Sequence, residues 1–151
     1  MDPYEVSSKA QGSTWGSRNV CTSPTNNICS GPDPRWDNFR DNLGALLGYA
    51  NAKIDLEKMT PQPGLSSTGQ CLANAVATGA EYLVYAAQGG QFTLDLSATT
   101  RTLTAEWFDP ATLTTQSGGS VQGGSKAQSF QSPISATDDA VLYLFDSAGH
   151  A

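Results

Sequence analysis

The sequence is poor in the side chains that most often carry catalysis or bind metals. Its 151 residues include a single histidine, His150, and three cysteines. Because His150 lies next to the last residue, where chains fray, no catalytic triad or His-based metal site can be built around it. We therefore expect no catalytic residue, no metal and no cofactor in this chain.

Long apolar runs are missing as well. No segment approaches the roughly 18 consecutive apolar residues that a membrane span requires, so we expect no membrane partner. The first ten residues, "MDPYEVSSKA", lack a basic region followed by an apolar run, so we expect no signal peptide in the chain as given. An export signal remains open if the protein begins upstream of Met1.

Charge is scarce and mostly acidic. Charged residues make up 15% of the chain, against roughly 25% in typical soluble proteins, and the net charge is -6. Nucleic-acid affinity depends largely on Lys and Arg displacing counterions, so we expect no nucleic-acid partner. Glycine, serine and threonine fill the gap, a composition typical of β-rich extracellular proteins.

The cysteines fall into two groups. Cys21 and Cys29 flank a polar, turn-forming segment with no nearby His or further Cys to complete a zinc site. We predict a disulfide between them; the alternative is two unpaired thiols in a reducing compartment. Cys71 has small, apolar neighbours, which favours a buried free thiol over a nucleophile.

One strong helical pattern occupies about residues 33–58. Asp33 can cap this helix, and Pro34 fits its first turn. Apolar residues recur with helical spacing at Trp36, Phe39, Leu43, Leu47, Ala50 and Ile54. Gly44 and Gly48 lie near this stripe. Together they make the helix less stable by about 1–2 kcal/mol than two alanines would. Glycines at this cost are expected where another backbone must approach the helix closely. Residues 1–32 offer no second apolar layer, so we expect something else to cover the stripe.

From about residue 65 the pattern changes to short strands. The predicted strands lie in "CLANAVA", "AEYLVYAA", "QFTLDLS", "RTLTAEWFD", "AQSFQSP" and "AVLYLFD". Gly89 and Gly90 predict a β-hairpin that joins the second strand to the third. "GGSVQGGS" is predicted to be a loop with a brief strand at Val121. Six or seven strands at this spacing predict an antiparallel β-sandwich over residues 65–151, preceded by loops and one long amphipathic helix in residues 1–64.

Several motifs in order resemble a known family. "MDPYE", "WDNFRDNLGALLGYANAKIDLEKMTPQPGLSSTGQCLA", "EYLVYAAQGGQFTLDLS", "EWFDPATL" and "VQGGSKAQSFQSP" are similar to the C-terminal end of the DUF4038 glycoside-hydrolase-like family, which includes apiosidase-type enzymes. The resemblance implies a (β/α)8 barrel followed by a small β-sandwich labelled as collagen-binding. Residues 1–64 would then be what remains of the last β/α unit of the barrel, and Cys21–Cys29 a loop inserted in it. Nearly all of the roughly 250 residues of a barrel are absent.

The resemblance also directs attention to particular side chains. Glycosidases use two carboxylates that flank the scissile bond, and Asp2 and Glu5 would lie near the end of the last barrel strand. They are weak candidates for substrate binding, and we match no residue to the family's catalytic acids.

Aromatic rings on the strands are the other candidates for binding sugars. Trp107 is a weak candidate for substrate binding, and Phe108, Tyr82 and Tyr85 also merit consideration. Neighbouring strand residues point to opposite faces, so either Trp107 or Phe108 must face away from the core. We expect that ring to pack against the preceding helix or the barrel.

Taken with the resemblance, these patterns predict an accessory role. The chain would be the C-terminal part of an extracellular glycoside-hydrolase-like protein, would brace a catalytic barrel of the same chain and would be inactive alone. The first alternative is an autonomous binding module for polysaccharide or an extracellular matrix protein. A second is an enzyme that works only when another chain supplies the barrel.

Overall fold

The computed structural model describes residues 19–21, 29–32, 44, 47–135 and 137–148. The chain divides into two compact units, Met1–Gly44 and Ala45–Ala151.

The described part of the first unit is an antiparallel pair of strands, β1 (Asn19–Cys21) and β2 (Cys29–Pro32). Cys21 lies directly opposite Cys29 in this pair. Antiparallel partners have Cα atoms about 4.5–5.5 Å apart, a separation that a disulfide can span. The backbone is thus compatible with the predicted disulfide, which itself stays a prediction.

The second unit is an antiparallel β-sandwich, as the sequence predicts. Its strands are β3 (Thr60–Pro61), β4 (Cys71–Asn74), β5 (Glu81–Ala86), β6 (Gln91–Leu94), β7 (Thr102–Asp109), β8 (Thr114–Gln122), β9 (Gln128–Gln131) and β10 (Ala140–Phe145). The larger sheet has the order β3-β4-β5-β10-β7-β8, and the smaller sheet pairs β6 with β9. A 3-10 turn, Pro63–Leu65, follows β3. Gly44 and residues 47–53 are helical, and we call residues 47–53 α1.

The main core lies between the two sheets. Because strand side chains alternate, every second residue of β5, β7 and β10 enters this interior. The inward set from these three strands is Tyr82, Val84, Ala86, Leu103, Ala105, Trp107, Ala140, Leu142 and Leu144, and β4 adds Cys71 and Ala73. Phe92, Leu94 and Phe130 meet them from the smaller sheet, and the ring of Phe92 stands edge-on to Trp107 with centroids 6.0 Å apart.

The predicted hairpin at Gly89 and Gly90 is wrong. β5 pairs with β4 and β10, whereas β6 pairs with β9 in the other sheet. The two glycines, with φ of 54° and 75°, carry the chain from one sheet to the other. β5 and β6 bury their apolar side chains in the same core from opposite sheets. A connection between two sheets can use glycines with positive φ just as a hairpin turn does.

The strand predicted at Val121 is confirmed, but it is longer than the predicted brief strand in a loop, because β8 extends from Thr114 to Gln122. This strand is exposed along nearly its whole length and forms one edge of the larger sheet. Its pairing with β7 contains a bulge: Ala105 lies opposite Gly119 and Glu106 opposite Ser117, which leaves Gly118 as the extra residue. A side chain at Gly118 would place its Cβ 2.9 Å from the Cβ of Ala105 and 3.0 Å from Nε1 of Trp107.

We therefore predict that Gly118→Ala destabilises the protein by about 1–3 kcal/mol, because the new methyl group overlaps Ala105 and the indole of Trp107. The matched control is Gly64→Ala, since a Cβ at Gly64 would meet nothing within 4 Å. Urea unfolding of the two variants measures the difference. Equal stability of both variants would mean that β8 does not lie against Trp107.

A buried carboxylate fastens the end of β10. Asp146 is 2% exposed. Its Oδ2 accepts a hydrogen bond from the Gly79 amide at 3.0 Å and lies 2.6 Å from Nε of Arg101, while Oδ1 accepts one from the Ala148 amide at 3.1 Å. The Gly79 amide, helped by Ala148 and the Arg101 guanidinium, holds the pKa of Asp146 below its ordinary value against the opposing effect of burial.

This lowered pKa gives the fold a defined acid sensitivity. The pKa of this carboxyl is lower in the folded chain than in the unfolded chain, where it is about 3.9. The ionised carboxylate therefore stabilises the fold at pH values above about 3.9. This contribution is lost as the pH falls through the pKa of the folded chain. We predict that Asp146→Asn lowers the urea midpoint at about pH 7 and that its deficit shrinks at about pH 3. A deficit of the same size at both pH values would contradict this assignment.

Candidate functional site

The outer face of the larger sheet is the surface that the helix covers. Strand register places three rows of side chains there, with Tyr85, Val141 and Phe108 in one, Leu83, Tyr143 and Glu106 in the next and Glu81, Phe145 and Thr104 in the third. Tyr49, Ala50 and Ile54 pack on this face with Tyr143 and Leu83. The C-terminal part of the predicted apolar stripe is therefore covered by the chain's own sheet.

The helix ends earlier than predicted. It stops at Lys53 rather than near residue 58. Ile54 turns into the interface as a buried residue, and the next amide, that of Asp55, donates to Oε2 of Glu81 at 3.4 Å. The Asp55 amide thus bonds to a strand residue instead of a helical carbonyl, at the point where sequence periodicity alone predicts that the helix continues.

A polar contact, which we call the Glu106 clasp, joins α1 to β7. The Tyr49 hydroxyl donates to Oε1 of Glu106 at 2.9 Å, and Nζ of Lys53 lies 2.7 Å from both carboxylate oxygens. The ring of Tyr49 also stacks on Phe108 with centroids 4.7 Å apart. Burial, reinforced by Glu106, raises the pKa of Tyr49, so its hydroxyl remains a donor.

A second polar contact lies deeper beneath the helix. The Tyr143 hydroxyl is 2.9 Å from Oε2 of Glu81 and 3.0 Å from the carbonyl oxygen of Lys53. The hydroxyl has one proton, so it donates to one of these acceptors at a time. Burial, with a further contribution from Glu81, raises the pKa of Tyr143. The helix end is thereby tied to β10 and β5 as well as to β7.

An open apolar groove of about 490 Å³ runs beside the helix on the same face. Its lining comes from the helix segment, the strands and the Pro61 to Gly69 connection: Tyr49, Ala50, Ile54, Pro61, Pro63, Gly69, Gln70, Cys71, Leu72, Leu83, Tyr85, Phe108 and Val141. Tyr85 is 39% exposed, and its hydroxyl donates to Oδ2 of Asp139 at 2.7 Å. The groove thus combines an apolar floor with one fixed, accessible aromatic ring.

The helix also presents apolar surface to solvent. Leu47 is 61% exposed, although it belongs to the predicted stripe. A Cβ built at the neighbouring Gly48 would meet nothing within 4 Å, so nothing in the described residues requires a glycine there. Three further members of the stripe, Trp36, Phe39 and Leu43, lie outside the described residues.

The structure separates the aromatic candidates. Trp107 is 5% exposed and faces the interior, while Phe108 faces outward and packs on Tyr49, which confirms the expectation that one of the two rings contacts the preceding helix. Tyr82 is buried between the sheets. Its hydroxyl is the one buried side-chain polar atom in the described residues without a hydrogen-bond partner, and burial above all raises its pKa to about 12. Of the four aromatic residues, only Tyr85 retains an exposed ring.

The other predicted site residues divide as follows. Asp2 and Glu5 lie outside the described residues, and only the backbone of Cys21 and Cys29 is described. Cys71 is a buried free thiol, as predicted, and burial raises its pKa to about 11. Over the described ranges no group of three or more His, Cys, Asp or Glu residues could hold a metal. No helix within them has the length and apolarity to cross a membrane.

Comparison with known proteins identifies the second unit. Residues 66–145, more than half of the chain, match the family described as "Putative collagen-binding domain of a collagenase". The chain belongs to this family. The matched region begins between β3 and β4 and ends with β10, so the family corresponds to the β-domain. No curated protein matches the chain.

Solved structures of larger proteins share the fold. One, titled "Glycoside hydrolase", matches 98% of this chain and 38% of its own, with a TM-score of 0.62 and 16% identity. Another, a glycoside hydrolase family 5 protein from Bacteroides vulgatus ATCC 8482, matches 77% of this chain and 25% of its own, with a TM-score of 0.56 and 20% identity. The chain therefore spans 38% and 25% of the length of these two structures.

The Glu106 clasp was not predicted, and it can be tested directly. We predict that Glu106→Gln lowers the free energy of unfolding by about 1–2 kcal/mol, because Lys53 loses its ionic partner and Tyr49 a charged acceptor. Asp55→Asn is the control, since it breaks an exposed ion pair between Asp55 and Lys58, and such pairs contribute little.

Urea unfolding of both variants measures the effect. If Glu106→Gln were as stable as Asp55→Asn, the clasp would not hold the helix to the sheet.

Proposed function

We propose that this chain is the accessory C-terminal part of a secreted glycoside-hydrolase-like protein of the DUF4038 type, in which the β-sandwich braces a catalytic (β/α)8 barrel. The observation that carries this proposal is the attachment of α1 to the sheet by the Glu106 clasp and the Tyr49–Phe108 stack. A helix fixed to the sandwich on one side transmits the position of the sandwich to whatever lies on its other side.

The solvent-facing side of α1 has the character of an interface. Leu47 is exposed there, and the groove beside the helix adds apolar surface. Interfaces between domains of one chain bury apolar and aromatic groups of this kind. We propose that the barrel covers Leu47 and Gly48, and that Gly48 allows its backbone to approach closely.

The chemistry of the outer face supports an accessory role rather than catalysis by this chain. A glycosidase needs two carboxylates placed on either side of a glycosidic bond. Glu81 and Glu106 are the acidic residues of the three rows, and both bind tyrosine hydroxyls beneath the helix. They hold the helix in place and do not face an open cleft.

The second candidate is a binding module for polysaccharide or an extracellular matrix protein. The family description and the groove beside Tyr85 favour it. Retention of the pure chain on an insoluble polysaccharide or on immobilised collagen, lost in Tyr85→Ala, would support this candidate over the brace. Hydrolysis of glycosides by the pure chain would overturn both.

The brace makes opposite predictions for Gly48→Ala in two proteins. In the 151-residue chain alone, the substitution should raise the free energy of unfolding by about 1 kcal/mol, because alanine favours helix and the new Cβ meets nothing. In a protein in which a barrel precedes these residues, the same methyl group should lie in the interface and lower the unfolding temperature.

Asn51→Ala is the control, since Asn51 is an exposed residue of α1; it should stabilise the helix in both proteins. The longer protein is obtained by following the reading frame upstream of Met1, where the proposal expects a barrel. A stabilising effect of Gly48→Ala in both proteins would contradict the brace.

A further inference from the structure

The free edge formed by β8 is a feature that the proposed brace does not use. β8 spans Thr114–Gln122 and pairs with β7 on one side only; no other described strand lies along its second side. Eight of its nine residues are exposed and Val121 is half-buried. An edge of this kind presents backbone N–H and C=O groups that another strand can pair with.

The two ends of the larger sheet differ in how they resist such pairing. The opposite edge, β3, is only two residues long and contains Pro61, and short strands and prolines both block strand addition. β8 contains no proline and no ionisable side chain. Its one protective feature is the bulge at Gly118, where the Gly119 amide turns to Oγ of Ser117 at 3.2 Å. The bulge divides the edge into two regular stretches, Thr114–Ser117 and Gly119–Gln122, and the first of them contains no glycine.

We propose that Thr115–Ser117 pairs with the same segment of a second copy of this chain, antiparallel about a two-fold axis that passes through Gln116. In this register Gln116 lies opposite the partner's Gln116, and Thr115 opposite the partner's Ser117, so that each pair of opposite residues shares one face of the sheet. Every cross-strand pair then joins hydroxyl or amide groups, and pairs of this kind stabilise antiparallel sheets. The two larger sheets become one continuous sheet.

A second copy suits this edge better than an unrelated apolar peptide does. Thr114, Thr115, Gln116 and Ser117 are all polar and exposed, so they form no pocket that would hold apolar side chains of a foreign strand. Two copies of a chain with a net charge of -6 repel each other. The uncharged edge lets them meet without placing like charges opposite each other.

The test is sedimentation velocity of the full chain from about 10 µM to about 1 mM, a range suited to a weak complex. The proposal expects the weight-average sedimentation coefficient to rise with concentration. Gln116→Lys and Gln116→Glu should each abolish the rise, because like charges then meet near the two-fold axis. An equimolar mixture of the two variants should restore it, since Lys then meets Glu. Gln88→Lys, at an exposed residue outside β8, is the matched control and should behave as the unsubstituted chain.

Three results would overturn the proposal: a chain that is monomeric at every concentration, self-association that Gln116→Lys leaves unchanged, or a mixture of the two charged variants that does not associate. Far-ultraviolet circular dichroism checks independently that both variants are folded, so the last result cannot be ascribed to a disrupted β8. None of these outcomes depends on the barrel, so the dimer and the brace can fail separately.

Discussion

The carboxylate of Glu106 is the group on which the attachment of the helix depends. It stands on the outer face of β7, the strand next to the β8 edge, with Phe108 two residues along the same strand. It accepts hydrogen bonds from the Tyr49 hydroxyl and the Lys53 ammonium together. Tyr49 and Lys53 are one helical turn apart, so a single carboxylate fixes both the position and the rotation of α1. Tyr143 and Glu81 then secure the chain where the helix ends.

This attachment gives the two faces of the larger sheet different roles. The inner face packs on the small β6–β9 sheet and supplies the main core, while the outer face holds a helix, a buried polar network and an apolar groove. A sandwich that only needed to fold would leave the outer face polar, since antiparallel sheets commonly face water on one side. Apolar and aromatic residues on both faces instead reflect a sheet that is covered on both sides, by the β6–β9 sheet on one and by the helix segment on the other.

The sequence predicted the parts of the fold that depend on local apolar patterns. β6 and β7 carry apolar residues at alternate positions, β5 and β10 are short runs rich in apolar residues, and each strand lies where its pattern predicted it. Of β8 only a brief strand at Val121 was predicted, because an exposed edge strand needs no apolar pattern and its glycines are typical of turns. The pairing of β5 with β10 rather than with β6 was not predicted. The two strands are far apart in the sequence, and the pattern of residues within one strand does not show which distant strand it pairs with.

The candidate site was less accessible from sequence than the fold. Alternation required Trp107 and Phe108 to face opposite ways, but only the packing of Tyr49 shows which one faces the helix. Glu106 reads as an ordinary outward polar residue on a strand, and Lys53 as a solvated helix residue. Their contact joins residues 53 positions apart, and no rule of spacing predicts such a pair. The groove likewise arises only when the connection through Pro61 and Pro63 lies beside the helix.

The most direct measurement of the central claim is native-state hydrogen exchange of the α1 amides. If α1 and the larger sheet form one body, the helical amides of residues 50–53 should exchange through the same global opening as the amides of β10, with the same dependence on denaturant. Glu106→Gln should then release the helix amides first. Exchange of α1 through fast local opening, while β10 stays protected in the unsubstituted chain, would contradict the account.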